Sequence, residues 1–273
     1  MRIVNKSKYK IIIITALIML LIHSLVGSIS VKQLLNFRAI EIIIAGVLFT
    51  VIIAFSFDTL IFTYHIIKRS FGYEEDYEGE IYKIYNYAIR VKKYGALKLQ
   101  SSIDTEENKF VKDGIQLICD YVKPEDIQDV LTKDIQAKKE NLYRPYNLLK
   151  MVAQVSPAFG LVGTLIGMVG VLSNIDNPQM IAINMSSALV STLYGALISN
   201  FIAIPLMGRV KEMIDKDILK YRIIKEGIYL IGKNDTTRNV FDKMNAMLPD
   251  EKRVESPVRR ITNEGNNIYE SNN

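Results

Sequence analysis

SPAFGLVGTLIGMVGVL, residues 156–172, and ALVSTLYGALISNFIAIPL, residues 188–206, decide what kind of chain this is. From Met151 to Met207 the one acidic or basic side chain is Asp176. Each stretch is long enough to cross a hydrocarbon core, which needs roughly 17 to 25 helical residues. The turn between them, Ser173–Asn184, holds Asn174, Asp176, Asn177 and Pro178 but no lysine or arginine. On the outer flanks, Lys68–Lys150 and everything after Gly208 are rich in both cations. Lys and Arg near span ends stay on the cytoplasmic side, so the turn belongs outside and the flanks inside.

Two further apolar runs lie towards the amino end. The first, Lys10 to about Val26, follows Arg2, Lys6 and Lys8 and so resembles a signal peptide. Its apolar part is longer than a signal segment needs, and a second run, Ala39 to about Phe57, follows closely. The pair predicts a retained helical hairpin that enters from the cytoplasm, with Lys32 and Arg38 of its external loop mildly against the charge rule. The predicted fold is an all-α polytopic membrane protein. Residues 1–67 hold the amino-terminal segment and spans one and two, 68–150 a cytoplasmic helical domain, and 151–207 spans three and four. Residues 208–255 form a cytoplasmic helical extension, and 256–273, polar and aperiodic, a disordered tail.

The cytoplasmic segment is predicted helical because Ile81, Ile84, Tyr85, Ala88 and Ile89, then Phe110, Ile115, Ile118 and Val122, recur at spacings of three and four. Pro124 with Glu125 and Asp126 opens another helix, since proline suits the first turn and carboxylates suit the positive end of the helix dipole. The net charge of +5 sits between and after the apolar runs, as span flanks rather than as a nucleic-acid motif. Cys119 is the single cysteine and His23 and His65 the only histidines, so neither a disulfide framework nor a zinc cluster can form within one chain. There is no phosphate loop, His-rich metal site or pair of intramembrane carboxylates, which argues against an enzyme and against a cofactor.

Gly160, Gly163, Thr164, Gly167 and Gly170 make one smooth face of the third span; Ser187, Ser191, Gly195 and Ser199, with Thr192 beside them, make another on the fourth. Two readings stand for these stripes. Small residues let helices approach closely, and the hydroxyls of Thr164, Ser191 and Thr192 could also line a polar path. An ion path normally needs an intramembrane carboxylate, and these two spans have none, so any ion-moving function requires another chain to supply it. Glu41 and Asp58 bracket the second span at its ends. Pro157 and Pro205, near the cytoplasmic ends of spans three and four, each remove a backbone hydrogen bond; a tolerated kink and a hinge are both open.

These two stretches, joined by a turn containing NIDNP, resemble the paired helices of the MotA/TolQ/ExbB family of ion-driven motors. Two spans ahead of the insert, DGIQLICDYVKPEDIQDVL at 113–131, KEG at 225–227 and MLPDEKR at 247–253 make the chain most similar to the flagellar stator A subunits (MotA/PomA) of that family. The resemblance implies a pentamer around two B-type, MotB-like subunits whose single span carries the ion-binding aspartate, in the bacterial cytoplasmic membrane. It implies that proton or sodium flow turns the ring, and that the cytoplasmic insert drives a FliG-like switch protein. Pro157 and Pro205 then correspond to the torque prolines and Thr192 to the threonine facing the partner's aspartate. Lys92, Gly95 and Leu99 fit the family's rotor-contact motif, with Arg90 and Lys93 adding to a basic patch, but Gln100 stands where a glutamate is expected. Sodium-type members of the family carry hydroxyls at the positions of Ser191 and Thr164, so the resemblance inclines the reading towards sodium, a hard cation that favours oxygen ligands. A related motor driving another process, and a passive scaffold, remain the competing readings.

Overall fold

The computed structural model describes residues 36–257 together with 13, 15–17, 19, 20 and 23. Apart from those few positions, which are helical, the expected first span lies outside the described residues, as does 258–273 of the expected disordered tail. Among the described residues the regular structure is helical throughout. Among the described residues three helices are long and apolar enough to cross a membrane: Phe37–Ala54, Pro124–Ser173 and Pro178–Gly232.

Helix α1, Phe37–Ala54, starts where the Asn36 side chain accepts the Ala39 N–H at 3.2 Å. It stops short of the expected Phe57 because Phe55 is extended and the Ser56 hydroxyl takes the Thr59 N–H, offering the backbone a fresh helix start. That start is α2, Phe57–Phe71, with Asp58 in its first turn and Lys68 and Arg69 in its last, each placed to suit the helix dipole. Next come α3, Tyr77–Tyr94, a short 3-10 turn at Ala96–Leu99, α4, Gln100–Ile103, and α5, Lys109–Cys119.

Helix α6 begins at Pro124 and runs unbroken to Ser173, where the change of composition near Lys150 suggests two elements. Charged and apolar residues alternate in hydropathy there but not in helix propensity, so nothing ends the helix. The fourth apolar helix also starts early. Asn177 caps α7, Pro178–Leu197, by accepting the Gln179 and Met180 N–H groups, and Pro178 occupies the first turn. Ahead of Pro205 the helix widens into a π turn, Ile198–Ala203, in which the Ile204 N–H reaches back five residues to the Ser199 carbonyl. Helix α8, Ile204–Gly232, and α9, Thr237–Ala246, follow.

The chain divides into two compact units. The first comprises 1–60 and 147–207, and its helices leave Leu161, Leu165, Val169, Leu189 and Phe201 each more than half exposed. Apolar surface on that scale calls for lipid or other protein chains rather than water.

The second unit comprises 61–146 and 208–273 and has an ordinary apolar core. Phe110 meets Tyr221 edge-on at 5.0 Å, and Tyr85 meets Phe241 at 5.7 Å. Gly227, within the KEG motif, leaves room for Met244 and Ile84, which a Cβ there would strike at 2.4 and 2.5 Å. In the MLPDEKR stretch Lys252 pairs with Glu75, and Tyr82 donates to the Glu255 carbonyl at 2.9 Å, which straps residues 252–255 to α3 and its approach.

One buried charge anchors this unit. Asp217 is 2% exposed and accepts from Arg69 and from the Tyr73 hydroxyl, both at 2.8 Å, with Lys220 at 3.8 Å. Burial, then the nearby Asp217 carboxylate, pushes the Tyr77 hydroxyl up to about 12. Arg69→Ala removes the main cation from a carboxylate that cannot reach water. Tyr73 and Lys220 stay, so the expected loss is about 1.5–3 kcal/mol, the range for hydrogen bonds to a charged group. Denaturant melting of the full chain in detergent checks it, and an unchanged midpoint would show the pair contributes nothing.

Candidate ion path and hinge

Close contact between α6 and α7 is built from glycine on both sides. A Cβ on Gly160 would lie 3.0 Å from the Ser191 carbonyl oxygen, and one on Gly195 would lie 2.6 Å from the Ser156 carbonyl oxygen. Gly163 receives the Ser191 side chain, Gly167 receives Ala188, and Gly170 faces the Asn184 amide. The five glycines therefore lie along one interface between these helices. Gly46 of α1 makes a similar approach, its missing Cβ replaced by the Phe159 ring.

The hydroxyls separate into two groups. Ser191 is 1% exposed, donates to the Ser187 carbonyl at 2.9 Å and packs on Gly163, so it belongs to the interface. Thr164 and Thr192 instead bring their hydroxyls together in a short hydrogen bond. Thr164 also lies 3.1 Å from both the Gly160 and Ala188 carbonyl oxygens, while Thr192 is a long 3.5 Å from Gly160. Each hydroxyl has one proton and two lone pairs. If Thr164 gives its proton to a carbonyl, Thr192 gives its own to Thr164 and keeps its lone pairs for whatever adjoins its exposed side. The arrangement can thus present an oxygen ligand to a cation, or accept a proton donor, at membrane depth.

Pro157 lies inside α6 and Pro205 inside α8, both exposed. Gly195 rests against Pro157, whose Cα would be 3.2 Å from an added Cβ. The π turn carries no mark in the apolar periodicity. Its signal is Pro205, whose missing N–H and bulky ring disfavour regular α geometry in the turn before it.

The basic patch is less uniform than its sequence suggests. Arg90, Lys92, Lys93 and Gln100 are all exposed. Arg90 donates to the Ser102 hydroxyl at 2.9 Å, and Lys93 lies over the Tyr94 ring at 5.0 Å. Lys92 donates to the carbonyl and side-chain oxygens of Asn234, at 2.7 and 2.8 Å. Asn234 sits in the left-handed region with φ 59° just past α8, so Lys92 completes a helix C-terminus. Among the described residues no cluster of His, Cys, Asp and Glu could hold a metal ion.

Residues 102–223 match the model of the MotA/TolQ/ExbB proton channel family. The chain is similar to chemotaxis protein PomA of Vibrio alginolyticus, with 29% identity over 226 residues, 82% of this chain and 88% of the relative. It is likewise similar to motility protein A of Aquifex aeolicus, with 29% identity over 239 residues, 86% of this chain and 94% of the relative. A solved structure of C. jejuni MotAB superposes with a TM-score of 0.80 at 20% identity, over 89% of this chain and 96% of that one, a likeness of fold.

Proposed function

We propose that this chain belongs to the MotA/TolQ/ExbB proton channel family, whose model its residues 102–223 match, and that it is the A-type stator subunit of an ion-driven rotary motor in the bacterial cytoplasmic membrane. The observation that carries this reading is the Thr164–Thr192 hydroxyl pair, set between glycine-packed helix segments, 151–173 and 178–207, that have no acidic or basic side chain of their own. Such a path is half a site. A B-type, MotB-like subunit supplies the aspartate, and Thr192 faces it. Four spans, with both termini in the cytoplasm, follow from the charge distribution.

Five copies around two B subunits form the ring, with the exposed apolar faces of the first unit covered by lipid and by neighbouring copies. Proton or sodium flow turns this ring, with Pro157 and Pro205 as the bending points. Arg90, Lys92, Lys93 and Gln100 present the contact surface to a FliG-like switch protein. Lys92 is engaged with Asn234 and Arg90 with the Ser102 hydroxyl, both neutral partners, so the three cations keep their charge there. Gln100 is exposed and neutral where the family pattern has a carboxylate, which favours a second reading, a related motor that drives a non-flagellar load.

Co-expression with the aspartate-bearing partner, purification and imaging test the proposal. The expected particle is a five-to-two ring that passes ions in vesicles. A complex that forms without any partner and passes none would leave a membrane scaffold.

A further inference from the structure

Ser199 lies one helical turn beyond Gly195, and its hydroxyl donates to the Ala153 carbonyl at 2.7 Å. Both ends are buried, the serine at 4% and Ala153 at 9% exposure. Ala153 stands four residues before Pro157, so its carbonyl is the one that the proline leaves open: Pro157 has no N–H to donate and its ring presses on that carbonyl. An open carbonyl in a buried apolar place is costly, and water does not reach it here. The missing donor comes from the neighbouring helix, out of the π turn Ile198–Ala203 that precedes Pro205. One hydrogen bond therefore joins the two interruptions: the acceptor is freed by the first proline, and the donor sits in the widened turn before the second.

Resting on the stator reading above, we infer that Ser199 is a positioning residue of the ion path. It anchors the turn of α6 that Pro157 leaves without its own hydrogen bond, and through that turn it sets Gly160 and Thr164, which follow in the next two turns. Its hydroxyl does not touch Thr164 or Thr192 and acts only through Ala153.

A double-substitution cycle separates this from plain packing. The full chain is purified with its partner as wild type, Ser199→Ala, Pro157→Ala and the double variant, and each complex is melted in detergent. Ser199→Ala lowers the melting temperature by a few degrees when residue 157 is proline. It has little effect in the Pro157→Ala background, because the backbone N–H restored at position 157 then serves the Ala153 carbonyl. Equal shifts in both backgrounds overturn the inference. Ion flux in vesicles provides a second, independent measure that does not need the proline variant. Ser199→Val is expected to change the flux by about twofold or more at unchanged assembly, and Ser199→Thr to keep the wild-type rate. Valine and threonine variants with the same flux would also overturn it. A wild-type complex that conducts nothing would defeat the stator reading instead, while the melting cycle still decides the hydrogen bond.

Discussion

Gly195→Val prevents α6 and α7 from packing, and the variant is recovered without assembled complex. A Cβ at this position would sit 2.6 Å from the Ser156 carbonyl oxygen, 3.1 Å from the Gly160 Cα and 3.2 Å from the Pro157 Cα. All three are backbone atoms. A flexible side chain could swing aside, but here the helices themselves must part, and parting them undoes the contacts at Gly160 and Gly163 as well. The cost is at least about 3 kcal/mol, the upper part of the overpacking range. Two controls bracket it. Gly170→Ala meets the Asn184 amide at 3.0 Å, a group that can rotate, so assembly survives. Gly208→Ala meets nothing within 4 Å and leaves assembly intact. Gel filtration and the melting temperature of the three complexes check this; a Gly195→Val complex of normal size and stability would show that the helices are not held at this distance.

The stripe that makes Gly195 critical is legible in the sequence, because glycine at helical spacing in an apolar run has few uses besides close packing. Which hydroxyl sits at the exposed rim of the interface is not. Ser187, Ser191, Gly195 and Ser199 share one face by spacing, and that face turns out to be the buried one. Thr192, a single position further on, lies at the exposed rim of the same contact, where its hydroxyl meets Thr164. Small hydroxyl residues suit both a tight interface and a polar path, so their type alone cannot separate Ser191 from Thr192. Only the Gly163 contact does so.

Elements are misjudged for a related reason. The switch from charged to apolar residues near Lys150 marks a change of environment, yet α6 continues through it. Asn177 and Pro178 are a readable helix start inside a stretch whose polarity suggests a loop. Pro205 signals a bend, but that the π turn before it carries Ser199, bonded to Ala153 of the neighbouring α6, is encoded by no local pattern. Lys92 and Asn234 are distant in sequence, so the anchoring of a lysine that looks free is likewise invisible until the chain folds.

Thr192→Val separates conduction from folding. Valine keeps the branched shape and loses one oxygen, and no buried acceptor is stranded: Thr164 retains the Gly160 and Ala188 carbonyls as acceptors for its proton. Assembly is therefore expected to be near normal, with a stability change below about 1 kcal/mol, a typical net hydrogen-bond contribution. Ion passage is another matter, because in the proposed path the Thr192 oxygen faces the moving charge and the partner's aspartate. Hydrogen bonds to charged groups contribute about 1.5–3 kcal/mol, which converts to roughly a 10- to 100-fold loss of flux at about 1.4 kcal/mol per tenfold. The ion shows itself in the form of that loss. If sodium is carried, the oxygen is a ligand, so raising sodium restores part of the flux. With protons the oxygen serves as a hydrogen-bonding relay, and sodium concentration makes no difference. Flux at the wild-type level in Thr192→Val would remove the hydroxyl pair from the path and leave it as one more contact between two closely packed helices.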